Sequence, residues 1–272
     1  MLVTRFAPTP SGFLHEGNAV NAVLCSWLAQ SGPDGRLLLR IDDFDSGRIR
    51  PGYLADVFDT LDWLGIRPDD GPTDPDDFAE RWSMTTRTRT FALARDALLR
   101  DHPERVFVCR CSRTELVDGR CVRGCRDAGL PLQANRSVVR LYVPAGRTVP
   151  IGGADVPVPP GDHVLWRRDD LPAYHLGSVL ADEELSVTAI VRGTDLLESS
   201  ALQRHLAALL PAPAFLAADL RHHALLHAPD GRKLSKSAGA RAQPMPRTEE
   251  QRDRILRLAA ELGEPIGIAP PS

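Results

Sequence analysis

The chain has 272 residues, of which 43% are hydrophobic and 25% are charged, and its formal net charge is −3. This composition is typical of a soluble globular protein and excludes a disordered or fibrous chain. No apolar run approaches the roughly 18 residues that a membrane span requires, and the N-terminus lacks the charged lead and apolar region of a signal peptide. We therefore expect a cytoplasmic protein with no membrane association.

The first third of the chain alternates predicted strands and helices. A strand is predicted at Val3–Phe6, and a helix is predicted from near Gly17 because its apolar residues follow one helical face. The largely apolar run 37–41 is typical of a buried parallel strand. A second helix is predicted at Pro51–Leu64, with Gly65 as its C-terminal cap. This order indicates the start of a doubly wound α/β domain.

The middle of the chain changes character, because cysteines, prolines, glycines and short apolar runs replace the helical pattern. Residues 103–170 therefore predict a small β-rich insertion. Helical periodicity returns in the leucines at 202, 206, 209 and 210, and a last helix is predicted from a capping box at Thr248 and Gln251 to Gly263. We accordingly predict four segments: half of a catalytic domain (1–102), the insertion (103–170), the second half (171–245) and a short C-terminal helix and tail (246–272).

Lysine is confined to one short segment. Of the 33 basic residues 31 are arginine, and the two lysines, Lys233 and Lys236, lie three positions apart. A glycine-flanked loop with two flexible ammonium groups is suited to meet negative charge that develops on phosphates. Residues 219–257 carry a net charge of +4, against −9 for 42–80, so a polyanion would prefer the lysine region. The alternative is an ordinary solvated basic loop.

A second candidate site is the proline- and glycine-rich segment 7–18. Gly12 and Gly17 allow close backbone approach, and the N-terminus of the following helix offers free N–H groups and positive dipole to a phosphate. His15 adds a hydrogen-bond donor beside that position. The alternative is a plain turn with an incidental histidine.

Four of the five cysteines cluster at positions 109, 111, 121 and 125. Four thiolates suit a closed, tetrahedral structural zinc site, so we predict that Cys109, Cys111, Cys121 and Cys125 bind Zn²⁺; four buried thiols are the alternative. Cys25 lies on the apolar face of the first helix and is predicted to be in the core. The three histidines at 222, 223 and 227 are interpreted as loop and strand residues rather than metal ligands.

The two candidate loops together resemble the HIGH and KMSKS motifs of class I aminoacyl-tRNA synthetases, here His15-Glu16-Gly17-Asn18 and Lys233-Leu234-Ser235-Lys236-Ser237. Three further blocks, starting at Arg5, Arg40 and Val191, resemble the glutamyl-tRNA synthetases, and together the matches extend from residue 3 to about 240. Only 35 residues follow Ser237. In this respect the chain resembles the truncated branch of that family, the glutamyl-queuosine tRNA(Asp) synthetases. The resemblance implies a Rossmann-type catalytic domain with a zinc-bearing insertion and no anticodon-binding domain.

The resemblance also implies a reaction and its substrates. Such an enzyme is an ATP-dependent ligase that converts glutamate to glutamyl-adenylate and transfers it to queuosine of tRNA(Asp), with Mg²⁺ accompanying ATP and zinc in a structural role. Arg5 would pair with the side-chain carboxylate of glutamate and Asp42 would hold its α-ammonium group. The other residues implied at the amino-acid site are Ala7, Ser11, Tyr174 and Arg192.

The same resemblance assigns the ATP site and the catalytic groups. His15, Gly17 and Asn18 would contact ATP, and Lys236 would bind its phosphates in the transition state. His15, Lys233 and Lys236 are thus the predicted catalytic residues. We expect a monomer.

This sequence departs from the family pattern at Asp42, where the family usually has glutamate, and it combines a short tail with a negative net charge. Two other functions therefore stay open. One is a stand-alone ligase that passes an activated amino acid to a small molecule or carrier protein without tRNA. The other is a non-catalytic paralogue that only binds nucleotide or amino acid. Four of the predicted site residues also have structural alternatives: Arg5 and Arg192 as ion-pair arginines, Asp42 as a helix-capping or salt-bridged acid and Tyr174 as a half-buried core aromatic.

Overall fold

The computed structural model describes residues 1–44, 46–226 and 243–271. The chain forms two compact units. The first comprises Met1–Thr86, Val187–Leu197 and Ala218–Ser272, and the second comprises Arg87–Ser186 and Glu198–Ala217. The four segments predicted from the sequence stay a prediction.

Within the described residues, the α-helices are Glu16–Gln30 (α1), Pro51–Leu64 (α2), Pro75–Asp77 (α3), Thr88–Asp101 (α4), Tyr174–Glu184 (α5), Leu197–Ala207 (α6), Pro213–Ala217 (α7) and Glu249–Gly263 (α8). The strands are Val3–Phe6 (β1), Arg36–Leu39 (β2), Val106–Cys109 (β3), Leu116–Val117 (β4), Arg120–Cys121 (β5), Val138–Val143 (β6), Thr148–Ile151 (β7), Ala154–Pro157 (β8), Gly161–Trp166 (β9), Ala189–Gly193 (β10) and Asp219–His223 (β11). Among these helices, none is both long and apolar enough to cross a bilayer.

The first unit is built on parallel strands. β1 pairs with β2, and β10 pairs with β11, both in parallel register. Thr188, just before β10, donates its backbone N–H to the Val3 carbonyl at 2.9 Å, and its hydroxyl accepts from the Val3 N–H at 2.8 Å. The two strand pairs therefore meet at β1 and β10, although these strands lie far apart in the sequence. This is the doubly wound parallel arrangement expected from the sequence.

Helices α1 and α2 pack around this sheet as their apolar periodicity predicts. Val20, Val23, Leu24 and Leu28 of α1 are buried, and burial raises the pKa of the core thiol of Cys25 to about 12. Helix α2 begins with Pro at its first turn and ends at Gly65, whose φ of 72° is the left-handed conformation that glycine adopts most easily. The predicted bounds of α2 are therefore confirmed.

Helix α8 differs in one detail from its prediction. The Thr248 hydroxyl accepts from the Gln251 N–H as an N-cap should. The Gln251 side chain does not return to the Thr248 backbone; its Nε2 donates to Glu16 Oε1 of α1 at 2.7 Å. The reciprocal half of the predicted capping box is therefore wrong, because a tertiary contact takes the glutamine. Ile255 and Ala259 are fully buried in the same core as α1.

The second unit contains the β-rich segment predicted for 103–170. Its main sheet is antiparallel, in the order β3-β6-β9, and α4 to α7 accompany it. Strands β4 and β5 form a hairpin whose turn residues, Asp118 and Gly119, both have positive φ, at 47° and 73°; this Asp-Gly pair is a common two-residue hairpin turn. Helix α6 ends at Ala207, so of the four predicted leucines only Leu202 and Leu206 are helical.

Candidate functional site

The loop after β1 is held against the chain that follows β2. Beyond the last residue of β2, Arg40 donates its backbone N–H to the Phe6 carbonyl at 3.0 Å, and Asp42 donates to the Pro8 carbonyl, also at 3.0 Å. The ladder thus continues past the strand ends and brings Asp42 beside the segment 7–11. Ala7 and Ser11 are half-buried there, at the carboxyl edge of the parallel strands, where ligands bind in open α/β sheets.

Asp42 is paired with a residue that the sequence analysis did not single out. Arg40 Nε donates to Asp42 Oδ1 at 2.7 Å, and its Nη2 donates to Oδ2 at 3.1 Å. The two side chains are 5% and 11% exposed, so this is a buried, bidentate ion pair. The pair matches the alternative of a salt-bridged acid, although a carboxylate has about four acceptor positions and two remain for an ammonium group.

The two arginines predicted at the amino-acid site are both buried, on strands of the first unit. Arg5 lies in β1 and is 3% exposed, and Arg192 lies in β10 and is 4% exposed. Buried arginines are uncommon unless paired, so both positions suit guanidinium groups that have partners. Tyr174 lies in the second unit, at the first residue of α5, and is 39% exposed.

His15 is the N-cap of α1. Its ring Nδ1 accepts from the Gly17 N–H at 3.1 Å, and its backbone N–H donates to Asn18 Oδ1 at 3.1 Å. Because Nδ1 accepts a hydrogen bond, the neutral ring carries its proton on Nε2, which is then the donor. The Gly17 N–H, which the sequence suggested would be free for a phosphate, is thus occupied by the histidine.

Gly17 lies directly beneath that ring. A Cβ atom at position 17 would lie 3.0 Å from His15 Cε1, which is closer than ordinary van der Waals contact. A side chain here would therefore have to move the imidazole. The structure brings His15, Gly17 and Asn18 together in one capping motif at the start of α1.

Two further charged residues, Asp56 and Arg247, were not predicted as site residues from the sequence. Asp56, on α2, is 3% exposed; its Oδ2 accepts the Leu14 N–H at 2.7 Å and its Oδ1 accepts from Arg247 Nη2 at 2.6 Å. Burial raises the pKa of Asp56, and the hydrogen bond from Leu14 opposes that rise. The only signal in the sequence was an acidic residue between apolar positions on the inward face of α2.

The histidines of β11 lie at the same carboxyl edge. His222 stands in register with Arg192, and burial, followed by the charge of Arg192, lowers its pKa to about 4. Burial also lowers the pKa of His223, whose Nε2 is 3.4 Å from Asn21 Nδ2 of α1. Both are strand residues, as predicted. His227, like Lys233 and Lys236, lies outside the described residues.

The four predicted cysteine ligands converge in the second unit. Their sulfur atoms all lie within 4.8 Å of one another, and Cys111 Sγ is 3.6 Å from Cys121 Sγ and 3.9 Å from Cys125 Sγ. A tetrahedral zinc with bonds of about 2.3 Å has sulfur–sulfur edges of about 3.8 Å. The cluster therefore has the size and donor set of a metal site. Cys109 is the last residue of β3, and Cys111 lies beyond the end of the strand.

The surroundings of these thiols shift their pKa values in different directions. Burial raises the pKa of Cys109 and, strongly, that of Cys111. Burial also opposes ionisation of Cys121, but backbone N–H groups of Cys125 and Arg123 stabilise its thiolate and lower its pKa. Four adjacent thiolates repel one another, so a bound cation would be needed to ionise the set.

Comparison with known proteins identifies the family. The model of the class I tRNA synthetase (E and Q) catalytic domain matches residues 1–96. The glutamyl-Q tRNA(Asp) synthetase of Pseudomonas entomophila (strain L48) is 36% identical over 96% of this chain and 85% of its own length. That of Pseudomonas paraeruginosa (strain DSM 24068 / PA7) is 37% identical over the same shares.

Solved structures agree on the fold. The glutamate-tRNA synthetase of Elizabethkingia anophelis has a TM-score of 0.66 at 25% identity, covering 86% of this chain and 52% of that one. The methionyl-tRNA synthetase of Mycobacterium tuberculosis has a TM-score of 0.52 at 15% identity, covering 95% of this chain and 64% of that one, and thus supports the fold alone. With relatives above 30% identity along most of both chains, this protein belongs to the glutamyl-Q tRNA(Asp) synthetase family.

Proposed function

We propose that the protein activates glutamate with ATP and transfers the glutamyl group to queuosine of tRNA(Asp). The observation that carries this proposal is the His15 capping motif at the carboxyl edge of the parallel strands, in a chain 36% identical to glutamyl-Q tRNA(Asp) synthetase over 96% of its length. The substrates would be glutamate, ATP with Mg²⁺, and queuosine-bearing tRNA(Asp).

At the amino-acid site, Arg5 would bind the side-chain carboxylate of glutamate and Asp42 its α-ammonium group. The burial of Arg5 supports this role, because a desolvated guanidinium binds a carboxylate more strongly than an exposed one. The Arg40 fork would hold the Asp42 carboxylate in one orientation, with its remaining acceptor positions for the ammonium group. Three further residues, Ala7, Ser11 and Arg192, would complete the pocket. For Tyr174 the proposal rests on the sequence alone.

At the ATP site, His15 would donate from Nε2 to a phosphate oxygen, while Gly17 and Asn18 keep the ring in place. Lys233 and Lys236 would stabilise the pentavalent transition state at the α-phosphorus with their ammonium groups. The reaction requires no covalent enzyme intermediate. The α-carboxylate of glutamate attacks the α-phosphorus and pyrophosphate leaves; a nucleophile on queuosine then attacks the acyl carbon and AMP leaves. Positioning and charge stabilisation therefore account for the catalysis.

Cys109, Cys111, Cys121 and Cys125 would hold a structural Zn²⁺. The supporting observation is the donor set, four sulfur atoms at tetrahedral spacing with a small apolar cluster around them, including Phe107 and Val138. A closed four-thiolate site leaves no open coordination position, so the ion would stabilise the fold locally. The protein would work as a cytoplasmic monomer.

The test is ATP–pyrophosphate exchange with each amino acid, with and without tRNA, followed by transfer of labelled glutamate to queuosine-containing tRNA(Asp). Glutamate-dependent exchange followed by transfer is expected. Exchange without transfer would favour the stand-alone ligase, whereas no exchange with any amino acid would favour a non-catalytic paralogue. Unmodified tRNA(Asp) is the matched control for the acceptor.

A further inference from the structure

A buried acid joins three parts of the first unit. Asp56 lies on the inward face of α2 and receives the Leu14 N–H on one carboxylate oxygen, at 2.7 Å, and Arg247 on the other, at 2.6 Å. Leu14 directly precedes His15. Arg247 lies eleven positions after Lys236 in the sequence and directly before Thr248, the N-cap of α8. A single carboxylate therefore contacts the chain next to one proposed catalytic residue and the chain leading away from another.

Hydrogen bonds between α8 and the first residue of α1 connect the same two regions of the chain. Glu16, the first residue of α1, accepts from Gln251 Nε2 at 2.7 Å and from Arg254 Nε at 2.8 Å. Hydrogen bonds from the start of α8 thus converge on the turn that carries His15. The Arg254 side chain is 54% exposed, so its ion pair with Glu16 contributes little energy. The Asp56 contact is buried on the acid's side, where solvent screens it much less.

Stability alone does not account for an acid at position 56. A leucine on this face would pack in the core, as Leu54, Val57 and Leu61 do, whereas a carboxylate loses its hydration on burial. Buried ion pairs often contribute no more to stability than apolar residues of similar size, and their better-attested role is to fix one register among several. Asp56 has partners on both oxygens: Leu14, which directly precedes His15, and Arg247, which directly precedes the N-cap of α8.

We infer that Asp56 is a positioning residue that fixes the His15 turn against the start of α8, acting through Leu14 and Arg247. The inference rests on the proposed function for its catalytic consequence. Small displacements of catalytic groups can cost up to about 100-fold in rate, so loss of this link beside His15 should affect turnover more than substrate affinity.

The test compares Asp56→Asn with a matched control, Asp59→Asn. The amide introduced by Asp56→Asn could still accept from Leu14, but the charge that holds Arg247 is lost. Asp59 also contacts Arg247, at 3.4 Å, but is 61% exposed. We expect Asp56→Asn to lower kcat for pyrophosphate exchange about 10-fold or more, with KM for glutamate within about twofold, while Asp59→Asn stays near wild type. Arg247→Lys should keep most of the rate lost in Arg247→Gln. Folded Asp56→Asn protein with wild-type kcat would overturn the inference.

Amide hydrogen exchange separates this inference from the proposed function. In Arg247→Gln, the peptide that contains Leu14 should exchange at least about threefold faster than in wild type, because its acceptor Asp56 has lost Arg247, a partner 191 positions away in the sequence. This measurement needs no activity. Faster exchange in a protein that does not activate glutamate would refute the proposed function and keep the link; unchanged exchange at Leu14 would refute the link itself.

Discussion

The Arg40–Asp42 pair allows a quantitative prediction. In Arg40→Met, the Asp42 carboxylate would stay buried, 8% exposed, after losing hydrogen bonds of 2.7 and 3.1 Å. Removing one partner of a buried pair costs about 3–5 kcal/mol, because the other charge is left uncompensated. Since domains are stable by only about 5–15 kcal/mol, the variant should lose a large part of the free energy of unfolding of the first unit.

The assay is urea unfolding at neutral pH, monitored by tryptophan fluorescence. Three of the four tryptophans lie in the first unit: Trp27, Trp63 and Trp82. The matched control is Arg36→Met, which removes an arginine from the same strand region. Arg36 is 3.5 Å from Asp70, and both side chains are more than 40% exposed, so this loss should cost at most about 1 kcal/mol.

A double variant tests the cause. Arg40→Met/Asp42→Leu removes both charges and should recover most of the stability lost in the single variant, because no charge is left buried alone. If the double variant is as unstable as Arg40→Met, the loss comes from packing of the arginine stem and not from the uncompensated charge of its partner. A single variant within about 1 kcal/mol of wild type would refute the buried-pair argument altogether.

Four further predictions concern the site, the fold and the metal. Gly17→Ala places a Cβ 3.0 Å from the His15 ring, so kcat for pyrophosphate exchange should fall about 10-fold while the melting temperature stays within a few degrees; wild-type turnover would show that the ring position is unimportant. Lys236→Ala should slow activation far more than it weakens glutamate binding, and equal losses would exclude a transition-state role. Purified protein should contain about one equivalent of zinc by elemental analysis, and Cys111→Ser should lower this content and the melting temperature together; well under one equivalent in wild type would contradict the site. The pKa of His222 is about 4 in the folded protein and 6.5 ordinarily, so the unfolded chain binds a proton at a higher pH than the folded chain does. The contribution of His222 to the free energy of unfolding is therefore complete above pH 6.5 and is lost as the pH falls toward 4, by about 1 kcal/mol at pH 5.5. His222→Gln should make stability in urea less dependent on pH over that range.

Local features of the sequence were sufficient for most elements of the first unit. The apolar spacing in α1, and Pro51 and Gly65 at the ends of α2, each encode a preference that operates within a few residues. The capping box at Thr248 was half wrong for the complementary reason. Gln251 could bond locally or to Glu16, and only the packing of α8 against α1 decides between them.

Distance along the chain also explains why the cysteine cluster and the proposed amino-acid site differ in how far the sequence alone could predict them. The four cysteines lie within 17 residues, and a single hairpin turn brings the second pair to the first, so spacing alone predicted the cluster. Arg5 and Arg192 lie on β1 and β10, which are far apart in the sequence and become neighbours only when the first unit folds. Local sequence patterns do not predict that β1 and β10 become neighbours. The prediction that Arg5 and Arg192 belong to one site came from the family resemblance instead. Asp56 shows the limit of both sources: no motif contains it, and its partners Leu14 and Arg247 become neighbours only in the folded chain. Residues that connect motifs, in contrast to residues within them, therefore have to be found in the structure.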